Sequence, residues 1–255
     1  KQRAKELLQT GQVQVVIGYE AGSPGKPPHP AFFRTIEDIE RLVLNEDCTQ
    51  NLAVYLSKPE VRALGKPALV APLAVMRTLL RLSVENQLAG DAVVVLGVSP
   101  EGTLVECATL EELRKYLTDQ TDRSDQADPI SALSREERWK FWMDHFARCI
   151  KCYACRAACP LCYCSRCVVD CNQPQWIPVA SHKLGNLEWH ISRAMHLVGR
   201  CVNCGSCETA CPVGIPLGLL NQRLSLSVAK HFGPHSDKDY ALSTFNPADQ
   251  ESFIR

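Results

Sequence analysis

Residues 148–160, RCIKCYACRAACP, return at 200–212 as RCVNCGSCETACP. The Arg, all four Cys, one Ala and the Pro keep their offsets, with Cys149 and Cys201 standing 52 positions apart. Each run reads C-x2-C-x2-C-x3-C-P. Three thiolates at two-residue gaps can wrap one face of an iron–sulfur cubane while the loop turns backbone N–H groups toward its sulfurs. The fourth Cys starts a new element, and in two-cluster ferredoxins it ligates the other cluster. The runs therefore predict two 4Fe-4S clusters held crosswise. One takes Cys149, Cys152, Cys155 and Cys211; the other takes Cys201, Cys204, Cys207 and Cys159. Zinc is the bland alternative for any C-x2-C pair, and two complete runs in one chain weigh against it.

A second group follows the first run: Cys162, Cys164, Cys167 and Cys171, spaced C-x-C-x2-C-x3-C. Four thiols so close together would oxidise or scavenge metal if left free. Three readings stand: a third 4Fe-4S cluster, a structural zinc, or substitute ligands for one of the two ferredoxin clusters. Cys155, Cys159 and Cys162 also fit C-x3-C-x2-C, the spacing of radical SAM enzymes. Dense cysteines produce such matches by accident, and no barrel pattern surrounds these.

Twelve of the 14 cysteines lie between Cys149 and Cys211. A secreted disulfide scaffold would spread them through a small chain, so the expected compartment is the reducing cytoplasm, with oxygen scarce. Cys48 and Cys107 stand apart and are expected to be buried thiols acting as small apolar residues. The chain carries 28 basic and 28 acidic residues. Nucleic-acid and membrane-surface partners usually need a basic excess, so neither is expected. No apolar run approaches the ~20 residues of a membrane span. No signal peptide is visible, although a first residue of Lys1 leaves room for a missing leader.

Working outward, residues 1–120 read as an α/β domain, a mostly parallel sheet with covering helices. Helices are expected at 3–9, 35–46, 73–88 and 109–118. Strands are expected at 12–18, 51–56, 67–71 and 92–98, and the Pro/Gly stretch 21–30 as a loop. Residues 121–133 are polar and aperiodic, a linker. Residues 134–230 read as an α+β, two-cluster ferredoxin-like domain with a cysteine-rich insertion. Ser134 and Glu137 form a capping box there, ahead of Trp139, Trp142, Met143, Phe146 and Ile150 at helical spacing. That stripe is expected to pack into a core. Further helices are expected at 187–198 and from Pro216. Residues 231–255 form a polar tail whose Tyr240, Phe245 and Phe253 suit docking.

His182, His190 and His196 lie near the cysteines in sequence, and ordinary packed or exposed roles are the expectation for them. Arg148, Lys151 and Arg200 are placed to offset the negative charge of thiolate-bound clusters. No Ser-His-Asp, paired-carboxylate or phosphate-loop constellation is present, so no catalytic residue is assigned.

The segments CIKCYACRAACPLCYCSRC (149–167) and RCVNCGSCETACPVGIPL (200–217) resemble a known group. It is the iron–sulfur beta subunits related to coenzyme F-420-reducing hydrogenase and formate dehydrogenase, with similar subunits in heterodisulfide-reductase-like complexes of anaerobes. VVIGYE at 15–20, NLAVYL at 51–56 and GKPALVAPLAVMRTLL at 65–80 fall where that family has its α/β domain. The resemblance implies an electron-transfer subunit, with partners holding flavin, molybdenum or tungsten, or nickel–iron. It departs at Pro72, Leu73 and Ala74, where the family often has Gly-Cys-Asp, with Arg77 retained. No G-x-G-x-x-G is present either, so no residue marks a site for FAD or FMN.

Three function classes follow. The first is a non-catalytic relay subunit of an oxidoreductase complex. A second is an oxidoreductase binding its own flavin or deazaflavin in the α/β domain. The third, a redox- or iron-sensing regulator, would need a basic nucleic-acid-binding element that the sequence lacks.

Overall fold

Three nearly continuous apolar runs organise the first half of the chain. They are the strands β1 (Val15–Glu20), β4 (Pro67–Pro72) and β5 (Val94–Val98), each buried almost end to end. Strands covered on both faces read this way, without alternation. The computed structural model describes residues 1–99, 102–118, 128–167, 169, 174, 175 and 177–232. In it β1 pairs parallel with β4, and β4 parallel with β5, in register Ile17 with Leu69 and Val70 with Leu96. Helices α1 (Gln2–Gln9), α3 (Leu73–Val84) and α4 (Leu110–Thr118), with a single turn α2 (Pro59–Arg62), accompany this sheet.

The sheet is parallel only across that centre. Strand β2 (His29–Phe33) returns antiparallel on β1, and β3 (Leu42–Val43) pairs with β1 antiparallel as well. At the other edge β6 (Leu104–Cys107) turns back on β5. Short returns favour antiparallel pairing, because a parallel neighbour needs a long crossover. The mostly parallel expectation is corrected accordingly. Pro30 sits inside β2, where an edge strand tolerates the missing N–H, so the loop expected to 30 ends sooner.

Two elements expected from sequence take other forms. Residues 51–56, expected as a strand, form a 3-10 helix, Leu52–Ser57, because the Asn51 side chain accepts from the Ala53 N–H and caps it. A short buried apolar run does not distinguish strand from helix by periodicity. The helix expected over 35–46 is a 3-10 turn, Asp38–Arg41. Thr35 Oγ1 accepts from Asp38 N–H at 3.2 Å, but the N-cap position is Glu37, so the expected Thr35 cap is corrected. The chain then leaves the helix because Leu42 and Val43 pair with Glu20 and Tyr19 on β1.

The second half is built of helices. These are α5 (Arg135–Ala147), two single turns α6 (Ala154–Ala157) and α8 (Ser206–Thr209), and α7 (Lys183–Leu197) and α9 (Leu217–Phe232). Among the described residues from 128 to 232 the β-structure is a single bridge residue, Gln175, and the rest of the regular structure in this half, expected as α+β, is helical. The capping box is present: Glu137 N–H donates to Ser134 Oγ, and Ser134 N–H to the Glu137 carboxylate. The aromatic stripe behind it packs only in part. Phe146 is buried, but Trp139 and Ile150 are each 57% exposed, so core packing does not account for those two. Cys171, most of the linker and residues 233–255, including Tyr240, Phe245 and Phe253, lie outside the described residues.

Two apolar cores result. The larger fills both faces of the sheet and takes in Leu161 and Leu197 from the second half. The smaller gathers Phe146, Trp189, Ile215 and Leu217 around Cys149, Cys155 and Cys207.

Candidate metal centres

The two cysteine runs fold alike. In the first, Lys151 and Tyr153 have φ of 58° and 57°; at the matching offsets of the second, Asn203 and Gly205 have 53° and 76°. Left-handed backbone costs a non-glycine residue about 1–2 kcal/mol. Lys151 and Tyr153 carry that cost, while Asn203 and Gly205 adopt this region readily, so the first loop's shape in particular is held by its surroundings. The conformation turns N–H groups inward. Lys151 N–H donates to Cys149 Sγ and Asn203 N–H to Cys201 Sγ, each at 3.4 Å. Ile215 N–H donates to Cys211 Sγ, also at 3.4 Å. The single turns α6 and α8 that follow each loop pack against one another.

That packing brings the runs together crosswise. One cavity is lined by Cys201, Cys204 and Cys207 of the second run and by Cys159, the last Cys of the first. On the other side Cys149 neighbours Cys152 and, from the opposite run, Cys211. Cys155 lies by Cys149 and also faces Cys207, so the two groups adjoin. Burial pushes the Cys155 and Cys207 thiols up to about 11 and raises Cys201 further. Such thiols stay protonated unless a cation draws the proton off. Among the described residues no three His, Cys, Asp or Glu side chains converge on a point where one metal ion would sit.

The inserted cysteines open on a separate cavity of about 300 Å³. Cys162, Cys164 and Cys167 line it together with Arg156, Arg193, His196 and Arg200. Cys159 belongs to the boundary: its thiol is pushed up by a hydrogen bond shared with Cys162 and by burial. The first run and the insertion therefore meet at this pair.

The charged residues divide differently from the sequence expectation. Lys151 is buried, and its Nζ donates to the carbonyls of Pro178 and Gly185 at 2.8 Å each, tying the first loop to the start of α7. Arg200 is bound to Glu85, which caps the C-terminus of α3, and Arg148 reaches the Gly214 carbonyl at 3.3 Å. The cation that lies among the thiols is Arg193, which the sequence reading passed over. It is 4% exposed and donates from Nη2 to the Cys155 carbonyl at 3.0 Å. A signal was there: Asn186, His190 and Arg193 share the buried face of α7 with Trp189 and Leu197, polar groups at helical spacing where apolar ones are the rule.

The three histidines take separate roles. His182 caps α7, accepting from Gly185 N–H at 3.2 Å. His190 is buried and stacked on Phe146 at 4.5 Å. His196 is exposed at the mouth of the insertion's cavity. Cys48 and Cys107 are buried in the sheet's core, and burial raises both thiols.

No protein-family model matches the chain. Over 76 residues it is 38% identical to the F420-dependent formate dehydrogenase subunit beta of Methanocaldococcus jannaschii. The match covers 29% of this chain and 19% of that subunit, so the chain spans about a fifth of the length of this curated relative.

Proposed function

We propose that the chain is an electron-relay subunit holding two 4Fe-4S clusters within an anaerobic oxidoreductase complex of hydrogenase, formate dehydrogenase or heterodisulfide-reductase type. The observation that carries this reading is that Cys201, Cys204 and Cys207 of the second run and Cys159 of the first line one small shared space. Two complete C-x2-C-x2-C-x3-C-P runs in one chain favour clusters over a lone zinc ion, which needs only four sulfurs about 2.3 Å from one point. Cys149, Cys152, Cys155 and Cys211 would hold the other cluster. Bound clusters pass one electron at a time with little change of shape, over potentials of about −700 to +450 mV for the class.

The chain's own residues do the rest. Cys149, Cys155 and Cys207 lie in an apolar core with Phe146 and Trp189, which keeps water away. Lys151, Asn203 and Ile215 aim backbone N–H groups at sulfur, and hydrogen bonds to sulfur raise a cluster's potential. Asn221 adds a side-chain contact, Nδ2 to Cys207 Sγ at 3.8 Å. Cys162, Cys164 and Cys167, with Cys171, would hold a third cluster or a zinc ion, or lend Cys162 to the neighbouring cluster. The likeness to a formate dehydrogenase beta subunit supports membership of an oxidoreductase complex, with partner subunits supplying flavin, molybdenum or tungsten, or nickel–iron chemistry. Among the described residues no helix is long and apolar enough to cross a membrane.

A second reading, an enzyme with its own flavin or deazaflavin, draws support from one feature. A groove of about 480 Å³ lies between the sheet half and the insertion, bordered by Arg62, Gln87, Tyr163 and Cys164. That volume falls within the usual range for small-molecule sites.

Counting iron, zinc and acid-labile sulfide on one anaerobic preparation tests the proposal. Iron and sulfide for two clusters are expected, and extra zinc or a third cluster's iron would assign the insertion. A colourless chain without sulfide would overturn it. Flavin bands in the same spectrum, released to the supernatant by acid, would favour the second reading.

A further inference from the structure

Arg193 touches all three cysteine groups. From the buried face of α7 its Nη2 donates to the Cys155 carbonyl, in the first run, at 3.0 Å. The side chain lines the cavity ringed by Cys159, Cys201, Cys204 and Cys207. It also lines the neighbouring cavity of Cys162, Cys164 and Cys167. Its Nε has no hydrogen-bond partner among the described residues. A guanidinium does not give up its proton in a protein, so a full positive charge is held at 4% exposure. Burial opposes that charge, and the Cys155 carbonyl is a neutral acceptor that does not cancel it. A buried charge is tolerable only beside an opposite one. Cysteines holding a cluster would provide that, because thiols bind metal as thiolates.

We propose that Arg193 is the shared counter-charge of the two candidate cluster sites, a positioning residue that raises both reduction potentials together. The inference rests on the cluster reading above. Reduction adds a negative charge to a cluster, and a fixed cation nearby favours the more negative state. Neither ferredoxin run carries this cation; the helix between them inserts it where the runs adjoin.

The test uses the full chain with its clusters, prepared without air, beside Arg193→Gln and Arg193→Lys. Iron and sulfide are counted first, and midpoint potentials are then read by redox titration with electron paramagnetic resonance. Arg193→Gln is expected to make reduction at least tenfold less favourable for both couples, a downward shift of about 59 mV for one electron. Arg193→Lys keeps the charge and is expected to stay within a few-fold of the parent. Loss of clusters from the Gln variant alone would support the same role. Full iron with unmoved potentials in Arg193→Gln would overturn it, as would a shift in one couple only. Loss of clusters from both variants would also overturn it, leaving the Cys155 hydrogen bond as the residue's purpose. A parent chain without iron would sink the cluster reading, and this inference with it, before any variant is compared.

Discussion

Arg200 sets two guanidinium nitrogens on the Glu85 carboxylate, Nε at 2.7 Å and Nη2 at 2.5 Å, across 115 positions of sequence. The pair joins the end of α3 to the residue that precedes the second cysteine run. Tyr163 completes it, donating to Glu85 at 2.8 Å while Arg200 lies over its ring at 5.4 Å. The Glu85 side chain is 5% exposed and that of Arg200 23%. Removing one partner of a buried pair strands the other, at about 3–5 kcal/mol. Partial exposure of Arg200 places the expectation at the lower end. Arg200→Met should therefore destabilise the chain by about 3 kcal/mol in chemical unfolding. Arg200→Lys should recover little, because an ammonium lacks the two-pronged geometry.

Cys159 and Cys162 share a hydrogen bond, yet the cavity of the second run includes Cys159 and not Cys162. Cys159→Ser is expected to lose or convert one cluster, seen as a fall in iron and a changed paramagnetic signal. Cys162→Ser should leave both ferredoxin-run clusters in place. The reverse outcome would transfer that ligand role to the insertion.

His190 makes stability depend on pH. Burial, with the nearby charges of Arg193 on its own helix and Lys151 on the first loop, lowers its imidazole to about 4 from the ordinary 6.5. Its third neighbour, Phe146 of α5, is uncharged. Between those values the unfolded chain binds the proton and the folded chain does not. The contribution is full above pH 6.5 and drains away as pH falls toward 4. Between pH 7 and 5 the loss should be about 2 kcal/mol. Denaturant unfolding of His190→Leu should show a flatter acid limb than the parent over that interval.

Ser206 binds the second run to the start of the 3-10 helix Leu52–Ser57. Its Oγ accepts the Asn51 backbone N–H at 2.8 Å, and Asn51 is itself buried, with Nδ2 donating to Thr78 Oγ1 at 2.7 Å. The first run has Ala154 at the equivalent offset. Ser206→Ala leaves a buried N–H without its acceptor, at about 1–3 kcal/mol. Thermal unfolding should report that loss, while Ala154→Ser should gain nothing comparable.

The centre of the sheet was legible because β1, β4 and β5 are buried on both faces and so write themselves as continuous apolar runs. Its edges were not. His29–Phe33 and Leu42–Val43 are short and become strands only because β1 offers them a ladder. The stretch 51–56 looked like a strand because its apolar residues are adjacent, and the Asn51 cap that makes it a 3-10 turn is a single side-chain contact. At the cysteines, spacing grouped the eight ferredoxin-run thiols by analogy with two-cluster proteins. Arg200 shows the limit of such reading: next to a cluster motif in sequence, it is bound to a glutamate on another element.

By itself the sequence determined what is local: the duplicated thiol spacing, the helix cap at Ser134 and the apolar runs of the central strands. These follow from covalent offsets and from periodicity, which do not depend on what packs against them. Only the tertiary structure decided which distant groups meet, placing Cys159 by Cys201, Glu85 under Arg200 and the Arg193 charge among thiols. Those meetings depend on how helices cross and where burial excludes water, and no short stretch of chain encodes either.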